Sequence, residues 1–203
     1  MARIEMVPDE RWPDELRAVV DPTELTPLEP GNLRIYAHRP PVAAAYARFV
    51  AALREPGLLS ARLLELVRLR VAFHNQCRSC MAIRYDPAVA EGVDEGLVCQ
   101  LESPEDAQDL TEAERAALHF ADLLATNHHT IDDATLDQLR EHFSEPEIVE
   151  LGMHVATFVG FGRLSMAWDL VDELPERFRD RGPTPVTPWG GDAIVVGRPA
   201  GRS

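Results

Sequence analysis

Lysine is absent from this chain: all twenty of its basic residues are arginine. No side-chain amine is available to form a Schiff base with a carbonyl substrate, so that route of covalent catalysis is excluded. Cysteine is scarce, with three in 203 residues, too few for a scaffold built on disulfides. No apolar run reaches the eighteen or more residues that a transmembrane helix needs. The segment Met1 to Pro13 is charged, contains proline and lacks the apolar centre of a signal peptide, so the expected location is the cytoplasm. A basic surplus is missing too. The net charge is −14, from 34 acidic against 20 basic residues, which opposes binding to nucleic acid and to anionic membranes.

What is there is helical patterning. The length suits one domain with a real core, alone or with arms. Residues 1–32 carry Pro8, Pro13, Pro22, Pro27 and Pro30 among acidic residues and read as an N-terminal arm with at most a short helix from Asp14 to Val20. Residues 33–180 read as the helical domain. Within it Ser60 caps a helix through about His74 that is apolar on nearly every side, the mark of a central buried helix. Asn75-Gln76 breaks it, and the next helix is expected from Cys77 to about Tyr85. Thr111-Glu-Ala-Glu is a capping box that opens a helix through Ala125. Thr130-Ile-Asp-Asp introduces another, from Ala134 to Phe143. Ser144-Glu-Pro-Glu opens a long one to about Val159, with Pro146 tolerated in the first turn and more helix following to Val171. Residues 181–203, with four Pro and five Gly, read as a C-terminal arm and not as a core element. Sustained period-two alternation is missing apart from Ala193 to Val196, so the domain is expected to be all-α.

The chemistry concentrates at Cys77-Arg-Ser-Cys80, twelve residues after Glu65. Two cysteines at i and i+3 share one side of a helix turn, within reach of a disulfide. At a helix start, unpaired N–H groups and the dipole favour the thiolate, the form that attacks a peroxide or a disulfide. A straight helix would hold Glu65 and Cys77 roughly 18 Å apart. A break at Asn75-Gln76 lets the second helix fold back and bring Cys80 towards Glu65, where a carboxylate could accept the thiol proton. Alternatively, Glu65 pairs with Arg62 or Arg68, three residues away on either side. The alternative is a pair of buried, inert thiols, against which the spacing and the helix-start position argue. Zinc needs four ligands, and Cys99 has no Cys-x-x-Cys partner, so no metal is expected; Cys99 reads as a packing residue. His74 is a candidate proton shuttle or a surface histidine. His128 and His129 read as surface residues. His154, on an apolar helix, reads as a satisfied core histidine that could line a pocket.

The run from Glu65 through Leu66–Phe73 to Cys77-Arg-Ser-Cys80 resembles the carboxymuconolactone decarboxylase family, and within it the alkylhydroperoxidase D-like branch. That branch has a Glu, eleven intervening residues, Cys-x-x-Cys, three more residues and a His. Glu65 and the cysteine pair match this spacing; the His position falls on Arg84. Flanking segments, among them Pro41 to Leu58 and Glu145 to Leu151, fit as well, and the resemblance covers about residues 28–175. It implies an alkylhydroperoxidase D-like helical bundle that forms a homo-oligomer, a trimer or hexamer, with the site near subunit contacts. It also implies Cys80 as the attacking cysteine, Cys77 as the resolving one and Glu65 as base. Arg84 cannot accept a proton at neutral pH. It could stabilise a Cys80 thiolate from one helix turn away, with His74 or water carrying the relay. The expected function is that of a thiol-dependent peroxidase or disulfide oxidoreductase without a cofactor. Its partners are a hydroperoxide or disulfide substrate and a thiol electron donor. A cofactor-free decarboxylase is the alternative, against which the cysteine pair argues. A non-catalytic oligomeric binding protein, with Arg84 marking a lost relay, is the third.

Overall fold

The computed structural model describes residues 2–25, 28, 31–54, 57–171, 174–179, 186–189 and 193–197. The helices are α1 (Asp14–Arg17), α2 (Gly31–Tyr36), α3 (Pro40–Arg54), α4 (Ala61–Asn75), α5 (Arg78–Met81), α6 (Asp86–Ala90), α7 (Glu95–Gln100), α8 (Glu112–Thr126), α9 (Asp133–Arg140), α10 (Glu145–Trp168) and α11 (Glu176–Arg179). Three 3-10 turns (Asp9–Arg11, Pro22–Glu24 and His128–Thr130) and two short strands, β1 (Ile83–Tyr85) and β2 (Ile194–Val196), complete the described elements. The fold is helical throughout its core.

Helix α4 is the centre of the bundle. The Ser60 hydroxyl accepts the Leu63 N–H and so caps its start. Leu66, Val67, Leu69 and Val71 are wholly buried, packed with Ala117, Leu118 and Ala121 of α8 and Leu151 and Val155 of α10. Each charged residue that α4 carries into this core has a partner: Arg62 on Glu114, Glu65 on Arg68, and Arg70 on Asp122. That is the condition under which a charge can be buried at all. Thr111 and Glu114 form the capping box of α8. At the start of α10, Glu147 accepts from the Ser144 N–H and hydroxyl at 2.7 and 2.6 Å. Gly160 and Gly162 do not interrupt α10. Gly162 is needed for close approach: a Cβ there would stand 2.5 Å from Asn75 Nδ2.

Three expectations need correcting. The helix opened by the cysteine pair stops at Met81, and residues 83–85 form β1, parallel to β2 with Ile83 opposite Ile194. Strand β2 falls within Ala193 to Val196, the one stretch that showed alternation, whereas β1 shows none of its own. The C-terminal segment does supply core: Val196 is fully buried and Trp189 packs on Phe73, with ring centroids 4.7 Å apart. The N-terminal segment likewise buries Trp12 and Leu16 against Ala37 and Ala43. A large aromatic deleted from a buried site costs about 3–5 kcal/mol. Trp189→Ala is therefore expected to lower stability by roughly 3 kcal/mol, read as an earlier urea midpoint at unchanged m-value.

Candidate functional site

The cysteine pair begins where α4 ends. Gln76 adopts the left-handed conformation (φ 51°, ψ 34°). Its N–H donates to Phe73 O, and the Cys77 N–H donates to Ala72 O, both at 3.0 Å. These two bonds make a Schellman motif, which satisfies the last carbonyls of α4 and turns the chain back on itself. The position usually belongs to glycine; here the Gln76 side chain is tied down instead, donating to Phe73 O at 2.8 Å and accepting the Val186 N–H at 2.9 Å. Cys77 thereby becomes the N-cap of α5 and Cys80 its third residue. The two sulfurs are bonded, with their Cα atoms 5.2 Å apart. Cys77 is fully buried, whereas Cys80 is half-buried. With α5 only four residues long, the summed helix dipole is small, so a cation must do more of the work of stabilising a thiolate.

The guanidinium bonded to the Cys80 backbone is that of Arg68. It forks onto Glu65, with both contacts at 2.7 Å. It also donates to Cys80 O at 2.5 Å and to Ile83 O at 2.9 Å. Glu65 accepts a further bond from the Tyr85 N–H at 3.3 Å. The chain reversal thus brings Cys80 to the Glu65–Arg68 pair: the ion pairing and the fold-back weighed as alternatives in the sequence are both present. Burial opposes the charge on Arg68, but the Glu65 carboxylate outweighs it and holds the guanidinium above its usual pKa. The Tyr85 ring meets two guanidinium groups, Arg54 and Arg68, each 5.2 Å from its centroid.

Arg68, Cys80 and Tyr85 share a cavity of about 180 Å³ with Tyr46, Arg54 and His154. Apolar groups such as Val50, Phe158 and Phe161 line the rest. Burial pushes the Tyr46 hydroxyl up to about 12, so it stays protonated. His154 is buried, and its Nε2 donates to Leu53 O at 3.1 Å. It is both a satisfied core histidine and a lining group.

The other residues singled out in the sequence lie elsewhere. His74 Nε2 meets Asp122 at 2.6 Å, on the side of α4 that faces α8, and is not among the described residues lining the cavity. Burial opposes the Asp122 charge, yet hydrogen bonds from His74 and Arg70 hold its carboxyl below the usual range. Arg84 is not one helix turn from Cys80, because α5 has ended. Its five N–H groups go to Glu95 Oε1 and Oε2 and to the carbonyls of Met81, Ile83 and Pro188, at 2.7 to 3.1 Å. An imidazole at position 84 would stand among those carbonyls, away from the cavity. Cys99 is exposed on α7 and is not a packing residue.

Comparison with known proteins gives the following. The model of the carboxymuconolactone decarboxylase family matches residues 40–123. Two uncharacterized proteins of Mycobacterium tuberculosis, from strains CDC 1551 and H37Rv, are each 34% identical over 110 residues. The matched stretch is 54% of this chain but only 38% of either relative. Among solved structures, the alkylhydroperoxidase AhpD core from Ralstonia eutropha JMP134, an uncharacterized peroxidase-related protein, superposes with a TM-score of 0.71 at 20% identity, over 91% of this chain and 98% of that one. A complex of the debrominase Bmp8 with 2,3,4-tribromopyrrole superposes at 0.63 and 16% identity, over 88% and 95%. At these identities the two structures speak for a shared fold.

The Glu65–Arg68 pair supports a first site-level expectation. Removing one partner of a buried ion pair costs roughly 3–5 kcal/mol, whereas replacing both with apolar residues of similar volume is often close to neutral. Glu65→Gln should therefore destabilise the protein far more than the double variant Glu65→Leu/Arg68→Met. A double-mutant cycle by chemical denaturation reads the difference directly.

Proposed function

Because the chain belongs to the carboxymuconolactone decarboxylase family over residues 40–123, the stretch its family model matches, we propose that it is a thiol-dependent peroxidase or disulfide oxidoreductase of the alkylhydroperoxidase D type. The observation that carries this reading is the asymmetry of the cysteine pair: Cys80 lines a cavity while its bonded partner Cys77 is wholly buried. In the reduced protein the Cys80 thiolate attacks one peroxide oxygen. An S–O bond forms, the O–O bond breaks, and the leaving alkoxide takes up a proton to become an alcohol. Sulfur loses two electrons and the peroxide gains them. The Cys77 thiol then displaces water from the Cys80 sulfenic acid and forms the disulfide. An external dithiol reduces it again by thiol–disulfide exchange. Arg68 is the cation beside Cys80, and Glu65 holds it there. Cys80→Ser should abolish hydroperoxide consumption. Cys77→Ser should leave a single turnover and a trapped sulfenic acid, detected by mass spectrometry after dimedone labelling. Consumption of neither hydroperoxide nor disulfide by reduced wild-type protein would sink this reading.

The same reading includes a homo-oligomer. Helix α10 buries one face on α4 and α8, yet its outer face is also apolar: Val149 is 59% exposed, Met153 42% and Leu164 39%. With the exposed Ala156, Gly160 and Ala167 they form a stripe spaced by threes and fours, as on a helix that meets another helix. On α3, Val42 and Phe49 are exposed as well, at 57% and 38%. A second copy of this chain, presenting the same stripe, is the occupant that covers it. Sedimentation equilibrium should give a multiple of 22.6 kDa, and Met153→Glu should shift it towards the monomer. A wild-type monomer at micromolar concentration would refute this part.

A further inference from the structure

We infer that His154 is the general base that takes the thiol proton from Cys80. The inference rests on the thiol-redox reading above and concerns the one role that reading leaves unfilled. The residues that the sequence offers around the thiol, Glu65 and His74 for the proton and Arg84 as a charge partner, are otherwise engaged. Glu65 has both oxygens on Arg68, His74 is bound to Asp122, and Arg84 spends every N–H outside the cavity. Among the described residues that line the cavity with Cys80 there is no Asp and no Glu, and His154 is the single histidine.

Its geometry suits the role. The bond from Nε2 to the Leu53 carbonyl requires the proton to sit on Nε2. The lone pair is then on Nδ1, which has no hydrogen-bond partner among the described residues. The ring is clamped beside Phe158, with centroids 5.6 Å apart, and Leu53 O fixes its rotation. Burial lowers the imidazole pKa, and the Arg54 charge acts in the same direction. The bond to Leu53 and the Glu150 carboxylate act against them without reversing the shift. His154 is therefore neutral, and able to accept, at neutral pH. The remaining charged and titratable groups of the lining are Tyr46 from α3, Arg68 from α4, and Tyr85. The cavity, at about 180 Å³, is more than ten times the roughly 10–15 Å³ that one water requires, so it has room for water to carry the proton from Cys80 to His154. The Sγ proton passes to Nδ1, the thiolate attacks, and the imidazolium returns the proton to the departing alkoxide. The base is regenerated in each turnover.

The test does not depend on peroxide. In reduced Cys77→Ser/Cys99→Ser protein, Cys80 is the only thiol, and its alkylation by iodoacetamide is followed from pH 5 to 10. With His154 present, alkylation at pH 7 should be roughly tenfold or more faster than after adding His154→Gln, which keeps an N–H for Leu53 O but has no basic nitrogen. Superimposable pH profiles would overturn the inference. If His154→Gln fails to fold, the NMR titration of His154 decides. Its pKa should differ between the reduced Cys77→Ser/Cys99→Ser protein and the same protein carrying Cys80→Ser, and an unchanged value overturns the inference. Loss of peroxidase activity with the alkylation difference intact would count against the proposed function alone.

Discussion

A guanidinium buried among helices must find an acceptor for its N–H groups, and Arg68 does so by drawing separate stretches of chain to one point. Desolvating a charge costs several kcal/mol, recovered only when the partners are close and well aligned. Glu65, one turn back on α4, neutralises it; the carbonyls of Cys80 and Ile83 take further donors. Those carbonyls flank the end of α5 and the start of β1. The arginine thus dictates that the chain reverse after Asn75 and pass close by α4 on its return. The position of the cysteine pair against the cavity follows from that requirement.

The reversal also sorts the two sulfurs. Starting at the residue after a left-handed Gln76 puts Cys77 under the end of α4, where no solvent reaches it, and leaves Cys80 one turn later on the cavity wall. Two chemically identical side chains acquire different access from backbone geometry alone. The cation next to Cys80, the tyrosine beside it and the histidine from α10 come from three different parts of the chain. They meet because α3 and α4 both pack against α10.

Much of the helical frame was legible in the residues. Caps at Ser60, Thr111 and Ser144 are local signals, set by a hydroxyl or carboxylate within three residues of the N–H groups it serves, and each stands where the sequence placed it. The spacing of Glu65, Cys77 and Cys80 was equally local. What could not be read was long-range. His74 and Arg84 looked available because their partners, Asp122, Glu95 and the Pro188 carbonyl, are distant in sequence. His154 could be read as core or as pocket, and only the packing of α10 beside α3 shows that it is both. Strand β1 was invisible because three residues carry no usable alternation, whereas β2 lies in Ala193 to Val196, where a short alternation did show; Trp189 sat in a stretch whose prolines and glycines masked its part in the core.

The pairing of β1 with β2 has a consequence for how the molecule is made. Ile83 lies three residues beyond Cys80, but its strand partner is Ile194, and the Arg84 side chain closes on Pro188. The segment that carries the cysteines cannot reach its final form until most of the polypeptide has left the ribosome. Contacts so far apart in sequence are costly to close and late to form. During synthesis α4 and α8 can pack together well before then, leaving Cys77 and Cys80 held at one end and unfinished at the other. For that interval the pair is open to oxidation and exchange in a way that the completed fold denies to Cys77.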